Sequence, residues 1–389
     1  MALTDRKISI VIISNLYPNC IETTKGIFIK QLVDSLKNQA EVTVVAPIPF
    51  NPMDYLIKNH VVPSSEIIDG VQVYHPRYVV IPKLLRSLTG YFFYLGIKKV
   101  IQNLLTEKKI DVISAHWVYP DGFGATLASK KFDLPIAVHA LGCDINEYTK
   151  YRLRRKHIIN TLRQSNINIV KSDALRNKII ELGIEARKTV VIHNGVDQTK
   201  FIPGNTTELR KQLKLSSDIK YVLFIGNFQI EKGLVYLIEA VKQCKRNNFQ
   251  LLIIGSGPLE SEIKALVSKL KMDDRINFLG RKDHQEIPDY LSAVDVLCLP
   301  SLREGCPNVV LESLSCGTPV VASNVGAVPE IITTKEYGEI VEPKNPASIA
   351  AGLSQVLDRE EINFPKFQWY DWNENAQIII NHLNDISQK

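Results

Sequence analysis

No apolar run in this 389-residue chain approaches the roughly 18 residues that a membrane span needs. The opening stretch MALTDRKISIVIISNLYP lacks the charged n-region, long apolar core and small-residue cleavage site of a signal peptide. Its KISIVIIS is short and β-branched and reads as a first strand. The six cysteines (Cys20, Cys143, Cys244, Cys298, Cys306 and Cys316) show no Cys-x-x-Cys or other metal-ligand spacing. They fit reduced thiols, so the expected compartment is the cytoplasm. No Gly-x-Gly-x-x-Gly follows the first strand, which excludes a dinucleotide dehydrogenase. Repeats of solenoid period and low-complexity tracts are also absent.

What is present is the composition of a globular protein, 45% hydrophobic and 23% charged. The length exceeds one ordinary core and suits two domains of similar size. A net charge of +6 hides an asymmetry. Residues 1–195 hold 26 Lys and Arg against 16 Asp and Glu, a balance of +10, and residues 196–389 hold 21 against 25, a balance of −4. A basic first half suggests an anionic partner there, whether phosphates, a lipid surface or nucleic acid. An ordinary solvated surface is equally consistent, and charge alone does not decide.

Strand and helix patterns alternate through both halves. ISIVIIS, EVTVVAP, DVISAH, LPIAVHA and NINIVKS read as buried strands, with helical spacing in FIKQLVDSLKNQ and RNKIIELG between them. The scheme restarts with YVLFIGN, QLLIIGSG, INFLG, VDVLCLP, TPVVAS and YGEIVEP. Its helices include LVYLIEAVKQC, LESEIKALVSKL and VVLESLSCG. Such alternation predicts parallel sheets covered on both faces, hence two Rossmann-like α/β domains facing each other across a cleft. The boundary falls near VVIHNGVDQTKFIPG, giving a domain over 1–195, a second over 196–365, and a C-terminal helix in 366–389 that packs back toward the first. Ligands are expected at the carboxyl ends of the strands.

Chemistry concentrates around EGCPNVVLE, Glu304 to Glu312. Pro307 suits the first turn of a helix that stops at Gly317, with Glu304 and Gly305 in the loop before it and Glu312 more than one turn along. Backbone N–H groups near Cys306 to Val310 favour a phosphate, and carboxylates on either side suit the hydroxyls of a sugar and a ribose. Taken alone, the stretch reads more readily as a capped surface helix with two solvated glutamates. Elsewhere, Lys232 and Gly233 follow the strand that ends at Gly226, where the lysine could neutralise a departing diphosphate. Gly255 and Gly257 close another strand and permit close backbone approach, although Gly-x-Gly is commonly just a turn. Gly280–Arg281 supplies a further strand-end loop.

Together these segments resemble the retaining glycosyltransferases of family 4, which have the GT-B fold. KTVVIHNGVDQTKF, the G…EKG loop, IGSGP, FLG, AVDVLCLPSLREGCPNVVLE and GTPVVAS stand in the family's order and spacing. SNLYPNCIETTKGIFIKQLVDSL matches the family's first strand–loop–helix, with Gly26 at the loop glycine. DVISAHWVYPDGFGATLASKKFDLPIAVHALGCDIN resembles the branch that builds bacterial surface polysaccharides.

The resemblance implies transfer of a hexose from a nucleotide sugar, a UDP- or GDP-sugar, to a saccharide or lipid-linked hydroxyl acceptor, with retention. Glu304 would hold donor-sugar hydroxyls, Glu312 the ribose, and Lys232 the diphosphate, helped by N–H groups around Asn308 and Val309. Gly26 would admit the phosphates, Gly255 and Gly305 would let backbone approach the donor, and Arg281 would pack near the base. No metal or cofactor is implied, and the chain has no Asp-x-Asp motif. Two positions depart from the family. Asn227 replaces an arginine, a loss of about 1–3 kcal/mol in leaving-group stabilisation unless another group compensates. Leu141 stands where the family has His or Arg. His139, two residues earlier and on the same side of the strand, is the candidate to reach the sugar, with a structural histidine as the rival reading. His116 is a further candidate with the same rival.

The acceptor side is less defined. PKLLRSLTGYFFYLGIKKVIQNL (82–104) is aromatic, apolar and basic, and fits either an interfacial helix on the inner face of the plasma membrane or a domain-packing helix. YRLRRKH (151–157) suits a phosphate or a membrane, or is simply solvated. No nucleic-acid partner is expected. Competing readings are a nucleotide-sugar epimerase, which would need acid–base groups around the sugar, and a non-catalytic member of an assembly complex.

Overall fold

The computed structural model describes residues 6–50, 62–81, 86–244, 248–359 and 364–388. The chain forms two compact units, Met1–Asn194 with Trp372–Lys389, and Gly195–Asp371.

The first unit is built on an eight-stranded sheet in the order Thr189–Val191, Ile167–Val170, Ile136–Ala140, Val112–His116, Ser9–Ile13, Glu41–Val45, Val71–Tyr74, Ser65–Ile68. Only the last pair is antiparallel. The central strands Ser9–Ile13, Val112–His116 and Ile136–Ala140 are buried at every position, so they read as unbroken apolar runs rather than alternation. The edge was not expected from sequence. Ser65–Ile68, half exposed, and Val71–Tyr74, alternately buried and half-buried, are short and joined at Asp69-Gly70, whose φ values of 46° and 80° suit a tight hairpin. Beside them lies a two-stranded sheet of Ile48–Phe50 and Arg77–Val79.

Helix Ile27–Gln39 packs Ile29, Leu32, Val33 and Leu36 inward. The terminal helix Trp372–Ser387 closes the same core with Ala376, Ile379 and Leu383. The segment 82–104 contains most of helix Thr89–Glu107, while 82–85 lie outside the described residues. That helix buries Phe93, Ile97, Ile101 and Leu104 at helical spacing, so one face packs into the unit.

The second unit has six parallel strands in the order Ile276–Gly280, Phe249–Ile254, Lys220–Ile225, Val296–Leu299, Val320–Ser323, Gly338–Val341. In chain order this is 3-2-1-4-5-6, the doubly wound Rossmann arrangement. Apolar faces on both sides of the sheet account for its two hydrophobic clusters. Pro307 sits one residue before the place expected of it: it is the cap, with ψ 107°, and the helix runs Asn308–Ser315. Among the described residues no helix is long and apolar enough to cross a membrane.

Candidate active site

In the second unit the strand order reverses between Lys220–Ile225 and Val296–Leu299. The loops after these strands turn to opposite faces of the sheet and leave a crevice at its carboxyl edge. The two loops are tightly fitted. Gly233 has φ 66°, and a Cβ there would lie 2.1 Å from the Pro300 carbonyl oxygen, so only glycine allows this crossing. Leu302 N–H donates to Glu231 O at 2.7 Å, and Ala327 N–H donates to Gly305 O at 2.8 Å. The Pro300–Pro307 loop is thereby held from both sides.

At the crevice, Lys232 Nζ donates to Glu304 Oε1 at 2.7 Å, and Ser301 Oγ donates to the same oxygen at 2.7 Å. The Glu304 side chain is 12% exposed, which holds a paired carboxylate at the edge of solvent. Its Oε2 has no partner among the described residues and is left to accept from a ligand hydroxyl. Ser301 was missed by sequence reasoning, because serine after a strand is too common to carry a signal.

Glu312 lies four residues along helix Asn308–Ser315, about 6 Å of rise from its start, and is 8% exposed. It accepts from His284 Nε2 at 3.1 Å, and His284 Nδ1 stands 2.7 Å from Lys200 Nζ. An ammonium only donates, so Nδ1 accepts from Lys200 and the imidazole hydrogen sits on Nε2, facing Glu312. Burial lowers the Lys200 pKa, against the opposing pull of Glu312 and Asp197. Neither Lys200 nor His284 was singled out from sequence, although Lys200 lies within the quoted KTVVIHNGVDQTKF.

The remaining expected residues of this unit surround the same edge. Gly255 has φ 140°, and a Cβ there would fall 1.9 Å from Gly226 O, so the two strand ends touch. Arg281 Nε donates to Ser256 Oγ, which places the arginine over the Gly255–Gly257 turn. Asn227 is exposed and its carbonyl accepts from Gln229 N–H at 2.8 Å. Asn308 and Val309 are half-buried in the first turn of their helix, which has no side-chain cap. A cavity of about 520 Å³ lies elsewhere, at the C-terminal end of that helix among Phe201, Pro203, Cys316 and Phe367, and includes neither glutamate.

Gly26 and His139 belong to the first unit. Gly26 has φ 61° and caps helix Ile27–Gln39 where a Cβ would clash with Leu16 O. His139 is fully buried, bonded through Nε2 to Ser114 Oγ at 2.9 Å and stacked on His116 with ring centroids 3.9 Å apart. Burial pushes both imidazoles toward the neutral form, assisted by the charge of Lys171, with His116 down at about 3. Leu141 N–H donates to Asp144, a buried carboxylate that also takes N–H groups of Val118, Gly142 and Ile145. Asp121, also fully buried, accepts from Asn15 N–H and leaves Oδ2 without a partner. Sequence reasoning passed over both aspartates. Among the described residues no group of three His, Cys, Asp or Glu side chains is placed to hold a metal ion.

Residues 26–200 match the family described as Glycosyltransferase Family 4, and residues 205–368 match Glycosyl transferases group 1. The chain belongs to the family 4 glycosyltransferases. Among similar proteins, the Bacillus subtilis (strain 168) glycosyltransferase TuaC, assigned to teichuronic acid biosynthesis, is 26% identical over 367 residues, covering 91% of this chain and 90% of that one. Among solved structures, sucrose-phosphate synthase from Thermosynechococcus elongatus aligns with a TM-score of 0.76 at 20% identity, covering 98% of this glycosyltransferase and 96% of that chain. Anabaena Alr3699/HepE, solved in complex with UDP-glucose, aligns with a TM-score of 0.68 at 20% identity, over 98% and 97% of the two chains. At that identity the structural likeness establishes the fold, which is GT-B.

Proposed function

We propose that this glycosyltransferase moves a hexose from a UDP- or GDP-sugar to a hydroxyl of a saccharide or lipid-linked acceptor, with retention, during assembly of a surface polysaccharide in the cytoplasm. The observation that carries the reading is the placement of Lys232, Glu304 and Glu312 at one switch point of one sheet. Kinship with a protein assigned to teichuronic acid biosynthesis supports the polysaccharide context.

The chemistry follows from charge. A nucleotide diphosphate brings negative charge to the N-terminus of Asn308–Ser315 and draws the Lys232 ammonium. Glu304 then exchanges its lysine for the donor sugar's hydroxyls, while Glu312, oriented by His284, takes the ribose. Gly255 and Gly305 let backbone approach the donor, and Arg281 flanks the base. Asn227 contributes no charge, so Lys232 and the helix terminus carry the leaving group. Attack comes from the face the leaving group vacates, and the departing phosphate accepts the acceptor's proton, which leaves no step that requires a protein base. His139, fully buried against His116 and Ser114, presents no surface to a sugar and takes no part in this scheme.

The test is incubation with a panel of UDP-, GDP- and ADP-sugars, scored for nucleotide release and for product stereochemistry with crude lipid or saccharide acceptors. Release of one nucleotide with an α-linked product supports the proposal. Nucleotide binding without release would favour a non-catalytic role, and a sugar nucleotide altered at C2 would sink transfer altogether.

A further inference from the structure

We propose that the first unit docks on an anionic lipid bilayer through a face made by Leu88–Leu95 and Tyr151–Lys156. Of the thirteen large apolar side chains exposed among the described residues, five are gathered here: Leu88, Tyr91, Leu95, Tyr151 and Leu153. Leu88, Tyr91 and Leu95 recur at three and four residues, so they form one stripe along the outside of helix Thr89–Glu107, opposite its buried Phe93 and Ile97. Leu95 and Leu153 are the most open, at 63% and 60% exposure. Between the stripe and Leu153 runs a groove of about 390 Å³, walled by Tyr91, Phe123 and Leu127, with Lys130 and Lys156 among its lining.

The charges beside this apolar surface have no internal explanation. Helix Arg152–Gln164 begins with Arg152, Arg154, Arg155 and Lys156 and has no acidic residue in its first turn. A helix N-terminus is the positive pole of the backbone dipole, so four cations there repel it and one another. Among the described residues none of the four pairs with a carboxylate, and only Arg154 is engaged, over the rings of Tyr148 and Tyr151. A plane of anionic headgroups relieves the repulsion while acyl chains cover the leucines, and tyrosine and arginine span the boundary. Nucleic acid would meet the cations but leave Leu88, Leu95 and Leu153 in water. This inference stands apart from the donor chemistry.

The experiment is co-sedimentation of the full chain with equimolar phosphatidylglycerol–phosphatidylcholine vesicles and with phosphatidylcholine alone. The protein should pellet with the anionic vesicles only, and added salt should release it. Leu95→Glu with Leu153→Glu, and separately Arg152→Glu with Arg155→Glu, should each lower partitioning by about tenfold or more, at unchanged thermal midpoint and unchanged nucleotide release. Inorganic phosphate should not compete at matched ionic strength. Equal binding to neutral vesicles, double variants that pellet like the parent, or displacement by phosphate alone would each overturn the proposal. The salt titration of the unmodified protein tests it without any variant.

Discussion

Lys232 and Glu304, seventy-two positions apart in the chain, meet at 2.7 Å because they follow the two strands that flank the reversal in sheet order. A pair so near the surface adds about 0–1 kcal/mol to stability, and either charge can be transferred to a ligand cheaply. Its place is therefore better explained by what approaches it than by what it holds together.

Glu304→Gln should lower kcat/KM for transfer by about 10- to 100-fold, the loss expected when one charged hydrogen-bond partner is removed. Lys232→Met should cost a similar factor through the leaving group. Because each side chain positions the other, the double variant should lose less than the product of the two. Steady-state kinetics on the three variants decide this. Strictly multiplicative losses would mean the two residues act separately.

His284 stands between Lys200 and Glu312, so its removal should act on ribose recognition alone. His284→Ala is expected to raise donor KM several-fold with kcat nearly unchanged, since the interaction is made equally in ground and transition states. A 2′-deoxyribose donor should be nearly indifferent to the substitution. An equal loss on both donors would separate His284 from the ribose.

The second unit was almost fully legible, since buried parallel strands such as QLLIIGSG announce themselves as apolar runs and their glycines mark the ends. Glu304, Lys232 and Glu312 could be named because short local motifs carry them. Lys200 and His284 could not, because their meaning comes from a contact across 84 residues of chain that no local pattern encodes, and Ser301 could not, because serine after a strand is too common to stand out. The strands near Val71–Tyr74 escaped for a different reason: strands of three or four residues have too short a pattern to stand out from loop. Asp121 and Asp144 looked like surface residues by type, and only the fold buries them.

The stacked His116–His139 pair makes stability depend on acid. Burial holds both folded-state pKa values below the ordinary histidine value, His116 at about 3. Below about pH 6.5 the unfolded chain therefore binds protons that the folded chain refuses. Stability should be intact above that pH and fall as pH drops through the window, by up to about 1.4 kcal/mol per histidine per pH unit. Urea unfolding of the parent and of His116→Gln between pH 4 and 8 measures it, with a shallower slope expected for the variant. A slope unchanged by the substitution would assign the acid sensitivity to other groups.

Gly233→Ala tests whether the crevice depends on the crossing of its two loops. The added Cβ would stand 2.1 Å from Pro300 O, and φ 66° is a left-handed conformation that alanine resists. Backbone must move, at a cost of about 1–3 kcal/mol, and the movement must spread the Lys232 turn from the Pro300–Pro307 loop. A shift of even 1 Å there lengthens the Lys232–Glu304 contact beyond hydrogen-bond range. Donor turnover should then fall by about tenfold or more while the thermal midpoint drops only a few degrees. Gly280, whose φ is 69° but whose Cβ would meet nothing within 4 Å, supplies the control. Gly280→Ala shares the backbone strain without the clash, so it should lose stability and keep the Lys232–Glu304 spacing. Equal loss of activity in both variants would show that strain, and not the loop crossing, sets the rate.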